Sequence, residues 1–300
     1  MRILLAGASG LVGQSLIERF GNTHQWFLMG RVKDKLKRQF PNHHCLSYAE
    51  LDNFHEPIDV VIHLSGQNIA DFVWTKAYRQ KLIDSRVDTA LQLCQWINRQ
   101  HHPIRVLAAN AIGFYGCFTQ NSPNFTEDSH VELNPDCFSQ TITHQWQEAW
   151  QALKDPKHLI IMRFGVVLQK NKGMLKRLTP SFKLGTGAIL GSGQQMISWI
   201  DIDDLCQAIL FLVEKQDIDG VFNLVSPHPT SQADFAKTLA KTFKRCLFLH
   251  LPAWFIKGLM GQMGQELLLS GQTVVPKRLS DLGFQFNYPN LDHSLNKEYG

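Results

Sequence analysis

The sequence predicts an α/β protein built on a doubly wound parallel sheet, and three observations carry that prediction. Short apolar runs alternate with amphipathic stretches through the N-terminal half. A glycine-rich turn separates the first run from the first helical stripe. At 300 residues, with 44% hydrophobic and 19% charged positions, the chain can bury such a sheet under helices on both faces. The same composition excludes disordered and fibrous chains, and the length suits a main domain carrying an appendage.

Taken in order, Arg2–Ala6 reads as the first strand. Residues 11, 12, 16, 17 and 20 then form an apolar stripe at helical spacing, which Gly21 terminates. Further strands are predicted at Trp26–Met29, near Cys45–Ser47, at Asp59–Leu64, at Arg105–Ala109 and at Leu159–Phe164, giving six parallel strands. Helices are predicted over Thr75–Asn98 and from about Thr141 to Leu153, the second following a Pro/Asn/Ser-rich loop at Thr119–Pro135. Beyond Gly165 the alternation fades into a glycine-rich segment, Gly185–Gly193, which reads equally as a mobile flap or a connector. A helix at Asp203–Glu214, with Asp203-Asp204 as N-cap and acidic first turn, a strand at Val221–Val225 and a mostly helical C-terminus complete the chain.

Composition narrows the function. Thirty Lys plus Arg against 26 Asp plus Glu give a net charge of +4, and these residues are scattered, which disfavours nucleic acid as a partner. The one basic cluster, Lys33–Arg38, reads as a solvated helix face. Six cysteines without a CxxC pair, and thirteen histidines without HExxH or HxxxH, predict no metal site and a reducing compartment. No apolar run reaches about 18 residues, and Met1 leads directly into a strand, so a cytoplasmic protein without membrane contact is expected.

Gly7-Ala8-Ser9-Gly10-Leu11-Val12-Gly13 places GxxGxxG between the first strand and its helix, where a dinucleotide pyrophosphate binds in a Rossmann-type fold. Gly7 permits the tight turn, Gly10 the approach of the pyrophosphate and Gly13 close helix–strand packing, while the helix N-terminus offers amides to the anion. An acidic residue that would read the ribose hydroxyls of NAD is missing after the second strand. Arg31 stands there instead and suits the 2′-phosphate of NADP. Such a charged bond is worth roughly 1.5–3 kcal/mol, or about 10- to 150-fold in preference. The candidate cofactor contacts are Gly7, Ser9, Gly10, Leu11, Val12, Gly13 and Arg31, with Leu64, Ser65 and Gly66 after the fourth strand and Arg163 closing the sixth. Residues 1–170, with 196–226 returning, form the expected Rossmann domain, and 171–300 the smaller, substrate-facing part.

GASGLVG, VIHLSGQNIADFVWT, DSRVDT, AIGFYG, MRFGVVL, GSGQQMISWIDIDDL and ELLLSGQTVVPKRLSDLGFQF together resemble the YfcH-type epimerase-family proteins, an atypical branch of the extended short-chain dehydrogenase/reductases. The resemblance runs from Met1 to about Leu291 and includes a C-terminal extension, 247–291. It implies NADP(H) binding, a C-terminal part closing over the nicotinamide and a small polar substrate such as a nucleotide sugar. It also admits a homodimer through two Rossmann-domain helices.

Typical members pair Tyr with Lys as YxxxK, because a free tyrosine is only about 0.1% phenolate at pH 7 and needs a neighbouring ammonium. Here the residues four beyond Tyr48, Tyr78, Tyr115 and Tyr288 are Asp52, Leu82, Thr119 and Asp292, so the motif is absent. By that resemblance Ser139 and Thr143 fall at the Tyr and Lys positions, Asn110 at the hydroxyl position and Arg86 at the usual asparagine. The remaining polar candidates are Asn68 after the fourth strand, Arg86 as a substrate-anion or loop contact, and Tyr115 after the fifth strand as proton donor or as loop packing. Trp74, Trp146 and Trp199 read as core. Two functions are open at this stage: an NADP-dependent epimerase or oxidoreductase, and a non-catalytic NADP(H)-binding sensor or scaffold.

Overall fold

A computed structural model describes all 300 residues. Seven strands form one sheet: β1 (Arg2–Ala6), β2 (Gln25–Gly30), β3 (His44–Ser47), β4 (Val60–His63), β5 (Arg105–Ala111), β6 (Leu159–Phe164) and β7 (Gly220–Leu224). They are parallel throughout, in the order β3-β2-β1-β4-β5-β6-β7. The sixth predicted strand is therefore not the last. The run predicted at Val221–Val225 joins the same sheet as its seventh strand, paired with β6.

Alternation along the strands sorts side chains between the two faces. Ile3 and Leu5 pack with Leu16 and Ile17 of α1 (Leu11–Phe20). Leu205 and Ile209 of α6 (Ile202–Glu214) join that face. Leu4 and Ala6 point the other way, towards Ala90 and Leu93 of α3 (Lys76–Ile97) and Trp150 just beyond α4 (Phe138–Ala149). Helices thus cover both faces, as a doubly wound sheet requires. The short α2 (Lys33–Gln39) carries the basic cluster and buries only Leu36.

Beyond β6 the chain leaves the sheet. Val166–Leu168 pairs in parallel with Trp199–Asp201, and α6 then crosses back to β7. Between them lies α5 (Gly173–Lys183), which packs with α7 (Gln232–Thr242) and α10 (Leu291–Tyr299) around Leu175, Phe182, Trp199, Phe235 and Leu295. The glycine-rich segment is partly paired: its Ala188–Leu190 runs in parallel with Leu249–Leu251 and lines the cavity through Ala188 and Leu190. Part of the Pro/Asn/Ser-rich loop is likewise ordered, Asn124–Phe125 pairing with Thr273–Val274.

The C-terminal extension supplies α8 (Ala253–Leu267), bent at Gly261 where φ is 56°, and α9 (Lys277–Asp281). Leu279 and Phe284 sink into the core on the α1/α6 face of the sheet, so this stretch packs on the Rossmann part instead of standing apart. Trp74, Trp146 and Trp199 are buried. The cap of α6 is Asp201, whose side chain accepts from the Asp203 amide; Asp203 and Asp204 occupy the first turn. No helix is long and apolar enough to cross a membrane.

Candidate cofactor cradle and adjoining cavity

The strand order reverses between β1 and β4, and the ends of these two strands build a cradle. Gly7, with φ of 90°, lies so close to β4 that a Cβ there would sit 2.7 Å from the Leu64 carbonyl carbon. A Cβ on Gly13 would sit 2.6 Å from the Gly7 oxygen. Both glycines are therefore required by packing. Gly10 caps α1 with its amide on the Gly7 oxygen at 3.0 Å, and no side chain caps the helix. The amides of Leu11, Val12 and Gly13 consequently open towards the crevice without a partner or an acidic neighbour in the first turn. Gln14 Nε2 donates to the Ser9 oxygen at 2.7 Å and holds the loop shut.

Leu64, Ser65 and Gly66 run along the other wall. Ser65 Oγ lies 2.6 Å from the Tyr48 hydroxyl, whose pKa burial pushes up to about 12. Arg31 is exposed at the end of β2, its Nη1 3.5 Å from Gln67 Oε1. Lys33 pairs with Glu50. That ammonium, with the Ser47 amide and hydroxyl, holds the Glu50 carboxyl down to about 2, so Lys33 is engaged and Arg31 is the free cation beside the cradle. Unpaired helix amides, glycines that no side chain can replace and an available guanidinium fit a dinucleotide with a 2′-phosphate.

A cavity of ≈ 460 Å³ adjoins the C-terminal ends of β5 and β6, between the sheet and the C-terminal part. Ser139 and Thr143, one turn apart on α4, both line it. Ser139 Oγ donates to Glu266 Oε2 at 2.6 Å, and Thr143 Oγ1 donates to the Ser139 carbonyl at 2.9 Å. Arg86 also lines the cavity. Its Nη1 and Nη2 donate to the Leu82 and Gln67 carbonyls at 2.8 and 2.9 Å, and its guanidinium lies 5.2 Å from the Trp146 ring centre. Burial lowers its pKa to about 10. Asn110 is buried behind this group, its Nδ2 on the Thr143 carbonyl at 3.1 Å.

Three sequence-predicted residues are placed elsewhere. Tyr115 is 1% exposed, donates to Asn223 Oδ1 at 2.8 Å and accepts from Arg163 Nη1 at 3.0 Å. Burial also raises its pKa. Its hydroxyl is enclosed in the core, and the proton-donor expectation is corrected to the packing alternative. Arg163, 3% exposed, is stacked 3.4 Å from the Phe114 ring centre and donates to Gln147 Oε1, so it supports this buried group and not a cofactor. Asn68 is exposed. Its Oδ1 accepts from the Ala70 amide and its Nδ2 donates to Asp71, forming a local turn outside the cavity.

Glu266 was not singled out from the sequence. The signal was a lone acid among apolar residues, where the quoted ELLLSGQT begins. Its side chain also joins Cys117 and Cys137 in a cluster whose ligand atoms lie within 4.8 Å of one another. The carboxylate already accepts from the Phe138 and Ser139 amides, from Ser139 Oγ and from Gln262 Nε2, and the two sulfurs lie 2.7 Å apart. With its oxygens used in this way, the cluster reads as a hydrogen-bonded helix cap and not as a metal centre.

Sheet order, glycine cradle and flanking cavity define a dinucleotide-binding protein of the extended short-chain dehydrogenase/reductase type. Comparison with known proteins makes this specific. The profile described as the NAD dependent epimerase/dehydratase family matches residues 3–225, and a domain of unknown function, DUF1731, matches 251–298. The chain belongs to the NAD dependent epimerase/dehydratase family. Epimerase family protein YfhF of Bacillus subtilis is 31% identical over 303 residues, covering 99% of this chain and 97% of that one. Mouse epimerase family protein SDR39U1 is 29% identical over 304 residues, covering 98% of each. The crystal structure of human SDR39U1 (isoform 2) with NADPH superposes with a TM-score of 0.89 at 26% identity, over 100% of this chain and 99% of that chain. UDP-glucuronic acid 4-epimerase of Bacillus cereus, in complex with UDP-glucuronic acid and NAD, shares the fold at a TM-score of 0.74 and 18% identity, over 100% and 98% of the two chains.

Proposed function

We propose that this protein is an NADP(H)-dependent oxidoreductase acting on a small molecule held in the cavity beside the cradle. The observation that carries the reading is Arg86, which joins the two. A Cβ on Gly66 of the cradle would meet its Cζ at 3.1 Å, while the same side chain lines the cavity. A dinucleotide along the cradle would thus bring its reactive end to the cavity. NADP(H), when bound, supplies or accepts the hydride. Ser139 and Thr143 bring hydroxyl oxygens to the lining as acceptors, their protons being donated to Glu266 and to the Ser139 carbonyl. NADPH in the human relative and the free Arg31 both support NADP over NAD. The sensor alternative keeps the cradle but leaves the adjoining cavity of ≈ 460 Å³ without a ligand to turn over.

The test has two arms. Calorimetry should show NADPH affinity falling about 10- to 150-fold in Arg31→Ala with NADH affinity unchanged; equal weakening of both removes Arg31 as the 2′-phosphate reader. Purified protein incubated with a small-molecule cell extract and NADP⁺ or NADPH should change a metabolite that a Gly10→Asp control leaves alone. No change, with NADPH binding confirmed, favours the sensor.

A further inference from the structure

From the lining of the cavity we infer that its ligand is a neutral, largely apolar molecule with a polar atom at one end, and not a nucleotide sugar. The inference rests on the proposed function, since it names the substrate class of that same site.

Of 32 lining residues 18 are hydrophobic. The wall from α5 and α7 carries Met174, Leu178, Phe182 and Phe235 beside Ser181 and Gln232. A nucleotide sugar brings a diphosphate, which protein sites meet with Arg or Lys forks or helix N-termini. Arg86 is the only cation on the lining, and two of its nitrogens already serve main-chain carbonyls. The other charged group there is Glu266, whose carboxylate repels a phosphate.

Polar side chains on the lining are largely satisfied within the protein. Gln195 donates to the Leu190 and Leu268 carbonyls, Gln232 Oε1 accepts from the Leu190 amide, and Ser198 and Ser270 donate to the Gln272 and Gln265 carbonyls. They give the cavity shape, while the Arg86 guanidinium and the hydroxyl oxygens of Ser139 and Thr143 mark its polar end. The volume falls in the range of about 300–1,000 Å³ usual for small-molecule sites, which are mostly apolar with few polar anchors. The rim repeats this chemistry. Leu251 lines the cavity and is 36% exposed, and it leads directly into the first turn of α8, where Trp254 is 73% exposed.

The experiment is calorimetric titration of the NADPH-loaded protein with decan-2-one and, separately, with UDP-glucose. Decan-2-one should bind at least about tenfold more tightly, and Leu178→Asp should weaken it at least tenfold while leaving NADPH affinity intact. Should Leu178→Asp fail to fold, Met174→Gln serves the same purpose with little change in shape. Tighter binding of UDP-glucose, no binding of decan-2-one, or binding that neither variant weakens overturns the inference. The proposed function is read apart from this by NADPH titration of the unmodified chain. NADPH binding with preference for UDP-glucose sinks the inference alone, and decan-2-one binding without NADPH binding sinks the cofactor reading alone.

Discussion

Tyr115 shows how a side chain's direction decides its role. It follows β5, where a ligand-facing residue is expected, yet the turn Ile112–Tyr115 and the left-handed Gly116, with φ of 97°, carry its ring inwards. There it stacks 5.0 Å from Phe125 and bridges Arg163 and Asn223. The sequence shows the strand end and the glycine but not this rotation, because the chain past a strand has no period to read. Tyr115→Phe removes the hydroxyl and leaves a buried guanidinium with one acceptor fewer. Unfolding free energy should drop by about 1–3 kcal/mol in a urea titration, with NADPH affinity unchanged. Loss of turnover by about 10²-fold or more at unchanged stability would return this hydroxyl to the chemistry.

At the scale of elements, α4 begins at Phe138, ahead of the Thr141 expected from its sequence. Its N-cap, Cys137, makes no side-chain cap bond. The first amides instead meet Glu266 of α8, at 2.9 Å from Phe138 and 2.7 Å from Ser139, where a carboxylate also suits the positive end of the helix dipole. A cap supplied from 127 residues away leaves no local signature, so the helix start was unreadable. The glycine turn, by contrast, was legible because Gly10 and Gly13 act on Gly7 and Ala8 close by in sequence, although the approach of Gly7 to Leu64 was not. Ser139 and Thr143 stood out in the sequence, whereas the cavity they line, closed by α5, α7 and α8, did not. Glu266→Gln should lower unfolding stability by about 1–3 kcal/mol, since an amide replaces one acceptor oxygen with a donor facing donors. Limited proteolysis within α8 should accelerate in parallel. Unchanged stability with lost turnover would make Glu266 an acid–base group and not a cap.

For the whole molecule the question is what holds the C-terminal part against the sheet so that one cavity forms. Lys297 on α10 reaches Asp201 at 2.8 Å, Asp203 at 2.7 Å and its neighbour Glu298 at 2.9 Å, while Asp203 also pairs with Arg19 of α1. These carboxylates raise the Lys297 pKa against the opposing effect of its burial, which is the largest single influence on it. Asp201 has no solvent exposure, so without the ammonium it would keep only the Ser294 hydroxyl and the Asp203 amide as donors. Removing one partner of a buried pair typically destabilises by about 3–5 kcal/mol, and the 23% exposure of the Lys297 side chain argues for the lower end. Lys297→Met should therefore unfold more easily, and its effect should reach the cavity. Leu295, on the same helix, packs with Phe182 and Phe235, which line it. The proposed NADPH contacts, by contrast, belong to the loop after β1, the start of α1 and the ends of β2 and β4. The variant should retain NADPH affinity below its melting temperature while losing decan-2-one affinity, and calorimetry of both ligands on one sample tests this. Equal loss of the two would mean that cradle and cavity behave as one rigid body, with α10 clamping the whole fold and not its C-terminal half.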